Sequence, residues 1–102
     1  MIFSETWESV LDGSKTETTR LRPGRYQVGR RYAVQPGRGK KGLGFIVIDA
    51  VGECLLLERL SYFRAEGFVN DTAFAGALLR VNGALDSRQR TWWYRFHLAE
   101  ER

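Results

Sequence analysis

The sequence predicts one small α+β domain whose strands form a mixed or antiparallel sheet curled towards a barrel. Three observations carry that prediction. With 102 residues, the chain can bury one hydrophobic core but not two. Apolar residues recur at helical spacing in two separated stretches, Trp7 to Leu11 and Phe74 to Val81. Between and after them lie segments rich in β-branched and aromatic residues, alternating with polar ones and bounded by Gly or Pro, as strands are.

Ile2-Phe3 reads as a short extended entry. Ser4 caps a helix in which Trp7, Val10 and Leu11 fall at i, i+3 and i+4, with Glu5 and Glu8 in the favourable first turns. Gly13 supplies the left-handed residue that ends it. Thr16 to Leu21 is rich in β-branched residues and extended, and Pro23-Gly24 signals a turn. Arg31 to Gln35 alternates as a strand, and Pro36 to Lys41 is a flexible basic loop. Gly42 to Ala50 is the strongest strand, with Leu43, Phe45, Val47 and Asp49 on one face; Gly52 marks a bulge before a continuation through Leu57.

Leu60 to Glu66 forms a short helix ended by Gly67. Asn70 or Asp71 caps the next, which buries Phe74, Ala77, Leu78 and Val81 and stops at Gly83. Asp86 to Gln89 is loop, and Thr91 to Leu98 is a closing strand in which Trp92, Tyr94 and Phe96 alternate against Trp93, Arg95 and His97. Neighbours on a strand point to opposite sides, so Trp92 and Trp93 cannot both face the core. One of them is either exposed and able to stack a base or covered by the helix of the 70s.

Composition excludes several classes. At 43% hydrophobic and 27% charged, with two prolines, the chain is no low-complexity segment. Its N-terminus lacks a basic n-region, and its longest apolar run, Phe45–Ile48, is far too short to cross a bilayer. A cytoplasmic protein with no membrane partner is expected, as a monomer or a homodimer. The lone Cys54 forms no intrachain disulfide and reads as a small core residue beside Leu55 to Leu57. No Cys/His cluster is present, so neither a metal nor another cofactor is expected.

The net charge of +4 is modest, but its distribution is not. Eight basic residues and no acidic one lie between Arg20 and Lys41. Such a run, Arg30, Arg31, Lys40 and Lys41 included, attracts phosphates with an affinity that falls as salt rises; the alternative is a solubilising basic loop.

No Ser or Cys nucleophile has a histidine–acid pair to serve it. His97 is the only histidine and reads as a surface or edge residue. Gly37-Arg38-Gly39-Lys40 lacks the strand-to-helix context of a phosphate-cradling loop. What remains is Gly13-Ser14-Lys15-Thr16-Glu17-Thr18-Thr19-Arg20, almost free of apolar residues and of little use to a core. A lysine after a helix-ending glycine can sit at the mouth of a cavity, where burial and Arg20 lower its pKa enough for it to act as a base. The Thr18 hydroxyl can serve as its partner or as an activated nucleophile, and Arg20 can hold a phosphate or a carbonyl oxygen. On spacing alone, the segment reads more readily as a polar edge strand whose threonines are chosen for β-propensity.

Phe3-Ser4 followed by Leu11-Asp12-Gly13-Ser14-Lys15-Thr16-Glu17-Thr18-Thr19-Arg20 resembles the N-terminal signature of ASCH domains, a helix and then Gly-x-Lys continued as Thr-x-Thr-x-Arg. Tyr26-Gln27-Val28-Gly29 with Tyr32-Ala33-Val34, then Phe45–Ile48, Arg64–Phe68 and Trp93–Phe96, resemble later steps of the same pattern in the same order, with Arg30 where the family usually has an acid. The resemblance implies a PUA-like small β-barrel with flanking helices over residues 1–102. It also implies RNA binding in the cleft between barrel and first helix, or amidohydrolase activity on N4-acylcytidine nucleosides. Ribonuclease activity, also linked to some ASCH proteins, is a further alternative. The amidohydrolases' catalytic lysine and threonine fall on Lys15 and Thr18, and their glutamate on Glu66. Arg20 and Thr16 join the basic residues as ligand contacts. The arginine-rich segment departs from the small amidohydrolases and favours a polyanionic ligand.

Overall fold

Val34, Ile46, Ile48, Tyr94 and Phe96 are almost wholly removed from solvent, and an antiparallel sheet of four strands curls around them. The computed structural model describes Met1 to Ala99; residues 100–102, the end of the expected domain, lie outside the described residues. In chain order the elements are α1 (Trp7–Leu11), β1 (Glu17–Arg20), β2 (Arg31–Ala33), β3 (Phe45–Leu55), α2 (Leu56–Arg59) running into a 3-10 turn (Leu60–Tyr62), α3 (Asp71–Asn82) and β4 (Arg90–Leu98). The strand order is β1-β4-β3-β2, every pairing is antiparallel, and one isolated parallel bridge joins Ile2 to Gln35. The α+β class and curled sheet expected from the sequence are observed, the sheet being wholly antiparallel and closing as a half-barrel with its helices beside it.

Two apolar clusters hold the domain. Met1, Phe3 and Val10 join the barrel residues in the first. Leu56, Phe74 and Leu78 form the second, with Leu60, Phe63, Phe68 and Leu85 around them. Helix α3 behaves as its residues dictate at both ends. The Asn70 side chain accepts from the Ala73 N–H at 2.8 Å, and Gly83 closes it at φ +82°.

Several expectations are corrected. Ser4 does not cap α1, which begins at Trp7 with its first N–H donating to the Phe3 carbonyl at 3.0 Å and no side-chain cap at Thr6. At Pro23-Gly24 the chain follows a bend at Leu21-Arg22, and a hydrogen-bonded turn comes later, where Arg30 N–H donates to the Gln27 carbonyl at 3.2 Å. Leu43, Phe45 and Asp49 do share one face, as expected, and it is the exposed one, because the core takes the other through Ile46 and Ile48. The bulge of β3 lies at Asp49, between Ile48 and Ala50, and places the Asp49 carboxylate 2.8 Å from His97 Nδ1 on the exposed face. Gly52 is not the bulge but the seat of the Trp93 indole, onto which any Cβ would fall. The strand gives way to helix at Leu56, so the short helix starts earlier than Leu60 and no strand reaches Leu57. Val81 is 60% exposed, since α3 crosses the domain with Phe74, Ala77 and Leu78 inward. Cys54 is half-buried rather than in either cluster. Both Trp92 and Trp93 are half-buried: Trp92 packs on the first cluster, while Trp93 lies between the guanidinium groups of Arg59 and Arg95, 5.8 and 5.7 Å from its ring. Among the described residues, no helix is long and apolar enough to cross a membrane.

Candidate functional site

The seam between the two clusters is where polar residues gather. The Asp12 carboxylate accepts from Ser14 N–H at 2.8 Å and from its hydroxyl at 2.6 Å, and Gly13 at φ +84° turns the chain. These bonds hold the Asp12 pKa below its ordinary value. The turn delivers Lys15 inward, its own N–H donating to the Ser9 carbonyl at 2.9 Å. From the far side of the sequence, the turn at 63–67 is stitched onto the start of β1: Thr16 and Glu17 N–H both donate to the Ala65 carbonyl, at 2.8 and 2.9 Å. Gly67 permits the approach, with φ +93° and only 3.3 Å between its missing Cβ and the Cβ of Lys15.

Lys15 and Glu66 thereby meet across 51 residues. Nζ donates to the Glu66 carbonyl oxygen at 2.7 Å and to Oε1 at 3.1 Å, and both side chains are 2–3% exposed. Desolvation lowers the Lys15 pKa; the Glu66 charge and hydrogen bond pull it back up, and Arg20 and Arg59 push it down again. With two of its positions taken by Glu66, Nζ has one left for a ligand.

Register places Thr18 opposite Tyr94 and Arg20 opposite Trp92, so both face the first cluster, whereas Glu17 and Thr19 face the other way. Arg20 donates from Nη2 to the Ile2 carbonyl at 2.7 Å and lies 5.4 Å over the Phe3 ring. Lys15, Thr18, Arg20 and Glu66 all line one cavity of about 140 Å³, roofed by Phe74, Ala77 and Leu78 of α3. Lys15 spends its resolved hydrogen bonds on Glu66 rather than on Thr18. Thr16 is exposed and outside the lining, contributing its backbone instead. Arg30, Arg31, Lys40 and Lys41 are also exposed and outside it, on or beside β2 at the opposite edge of the sheet. Arg31 covers the Phe45 ring at 4.8 Å.

The residue that sequence reasoning missed is Arg59. It is 2% exposed and uses all three guanidinium nitrogens: Nη2 to Glu66 Oε2 at 2.5 Å, Nη1 to Glu17 Oε1 at 2.9 Å and Nε to Thr19 Oγ1 at 3.0 Å. Thr19 in turn donates to Glu66 Oε2 at 2.5 Å, and Arg95 Nε reaches Glu17 Oε2 at 3.1 Å. A signal for it existed. Arg59 stands three residues after Leu56 and four before Phe63, on the apolar stripe of its helix, where a cation survives only if paired. Among the described residues, no group of three His, Cys, Asp or Glu side chains could hold a metal ion.

No protein-family model matches the chain, and no curated protein matches it by sequence. Solved structures do. An ASCH protein from Zymomonas mobilis superposes with a TM-score of 0.71 at 16% identity, over 98% of this chain and 65% of that one. The ASCH domain from Lactobacillus crispatus JV V101 gives a TM-score of 0.65 at 17% identity, over 90% of this chain and 69% of that one. A protein from Enterococcus faecalis V583 gives 0.64 at 15%, over 94% and 71%. The chain spans about two thirds of the length of the Zymomonas protein. At such identities the likeness is one of fold, and it covers 90–98% of this chain: the fold of the protein is that of the ASCH domains.

Proposed function

We propose that the cavity at the seam binds the base of a modified cytidine and that the protein hydrolyses the N4-acyl amide of such a ligand. The observation that carries this reading is a cavity of one-ring size whose polar wall holds a buried lysine of lowered pKa against a glutamate. At about 140 Å³ it compares with the roughly 150 Å³ apolar cavity that admits one benzene ring. A pyrimidine meets that limit, with α3 supplying the apolar roof.

The chemistry balances with the residues present. Lys15 in its neutral form takes the Thr18 hydroxyl proton as Oγ1 attacks the acyl carbon and the carbonyl electron pair moves onto oxygen. Collapse of that adduct breaks the C–N bond, and Glu66 relays the proton to the departing exocyclic amine. Water then cleaves the threonyl ester and releases the carboxylic acid. Arg59 and Thr19 hold Glu66 in place, acting through it rather than on the substrate.

The test is acetate release from N4-acetylcytidine by the purified protein. Lys15→Met and Thr18→Val should each lower turnover by at least about a hundredfold with the circular dichroism unchanged, and kcat/KM should rise with pH through a value below the ordinary lysine pKa. Absence of release across a panel of N4-acylcytidines overturns the reading.

A second reading draws on the exposed cations of β2 and its following loop. Arg30, Arg31, Lys40 and Lys41 lie apart from the cavity and suit the backbone of an RNA, bound without turnover or cleaved.

A further inference from the structure

A second cavity, of about 340 Å³, adjoins the first and shares Ile2, Arg20, Leu21 and Asn82 with it. Its remaining walls are Arg22, Gly24 and Tyr26, so it offers two guanidinium groups and no carboxylate. The pocket on the outer face of the sheet is different in kind: there Glu17 and Glu58 stand beside Arg59 and Arg95, and the formal charges cancel.

Arg20 is the hinge between the two adjoining cavities. Its plane is set by the Ile2 carbonyl at Nη2 and by the Phe3 ring beneath it. Its Nε, however, is buried and has no hydrogen-bond partner among the described residues. A buried guanidinium N–H left unpaired is costly, and an anionic oxygen is the acceptor that relieves it best. Gly24 keeps the wall close by donating its N–H to Tyr94 Oη at 3.1 Å; a Cβ there would stand only 2.7 Å from the Tyr26 ring. Arg22 stands exposed at the rim, a second cation open to solvent on the side away from Lys15.

We propose that this second cavity is a phosphate subsite, so that a nucleoside whose base fills the first cavity carries its phosphate into the space between Arg20 and Arg22. The inference rests on the base-binding reading of the first cavity and narrows its ligand to a nucleotide or an RNA residue in place of a free nucleoside. Both sources present the same chemistry, a phosphate oxygen to a planar guanidinium fork.

Calorimetric titration of the whole chain separates the outcomes. The probes are N4-acetylcytidine, its 5′-monophosphate, ribose 5-phosphate, and a short oligoribonucleotide carrying N4-acetylcytidine internally. The monophosphate should bind about tenfold more tightly than the nucleoside, by a margin that shrinks as salt rises and collapses towards one in Arg22→Gln. The same margin for the oligonucleotide assigns the subsite to a phosphodiester and thus to RNA; a margin for the monophosphate alone assigns it to a free nucleotide. Equal affinities for nucleoside and monophosphate overturn the subsite and leave the base site standing. Binding of ribose 5-phosphate without the nucleoside keeps the subsite and overturns the base site. If no probe binds, both fall.

Discussion

Lys15 shows how much a single residue depends on its surroundings. Its candidacy is legible in the sequence, because a polar segment after a helix-ending glycine is of little use to an apolar core, although the fold buries Lys15, Glu17, Thr18 and Thr19. Its partner is less so: Glu66 lies 51 residues away and follows only from resemblance, while Arg59, which binds Glu66 from the other side, belongs to no motif. The depressed pKa of Lys15 has a thermodynamic consequence. An unfolded chain carries a lysine near the ordinary value of 10.5, and the folded value lies below it. Between the two values the unfolded state binds more protons, so folding stability rises with pH across that interval. The wild-type protein should therefore gain stability relative to Lys15→Met as pH rises towards the ordinary lysine value of 10.5. Thermal melts of both proteins at matched ionic strength measure the gap; a gap that stays flat contradicts the depressed value.

At the scale of elements, local chemistry decided what it could. Asn70 and Gly83 delimit α3, and Gly13 ends α1, as their side chains and backbone freedom require. Gly52 escapes such reasoning because a glycine in a strand has two explanations, a bulge or a close neighbour, and only the cross-strand partner distinguishes them. Trp93 is that partner. Gly52→Val should thus displace the indole from the sheet, cost about 1–3 kcal/mol through overpacking, and alter tryptophan emission. Urea unfolding with fluorescence detection reads both quantities. If stability and emission match those of the wild type, the indole does not need the space. The start of α2 at Leu56 is hidden for a related reason: the run Cys54 to Leu57 is apolar throughout, and such a run reads equally as strand or as buried helix.

For the whole molecule, the sheet order β1-β4-β3-β2 separates two features that sit side by side in sequence. The segment Gly13–Arg20 runs into one edge strand, while Arg30, Arg31, Lys40 and Lys41 ride on or beside the other. These four cations therefore stand apart from the cavity, although Arg20 and Arg22 of the same charge run line it or its neighbour. Changing all four residues to Gln should weaken RNA affinity and flatten its dependence on salt by about 0.7 in log–log slope for each phosphate no longer neutralised, while acetate release from a free nucleoside stays as it was. Filter binding across a salt series measures the slope. Unchanged affinity and slope in the variant reduce the basic segment to a solubilising surface.

The sequence by itself determined the α+β class, the end of α3 at Gly83 with its cap narrowed to Asn70 or Asp71, the end of α1 at Gly13 and the polar character of the strand behind it. Each of these follows from spacing, side-chain chemistry or backbone freedom within a few residues. Tertiary structure alone decided which face of β3 is buried, where the bulge falls, and that Arg59 completes the pairing of Lys15 with Glu66. It also decided that Arg20 belongs to two cavities at once. These depend on cross-strand register and on contacts tens of residues apart, where burial sets the energy of a charge and no local pattern records which partner will come to meet it.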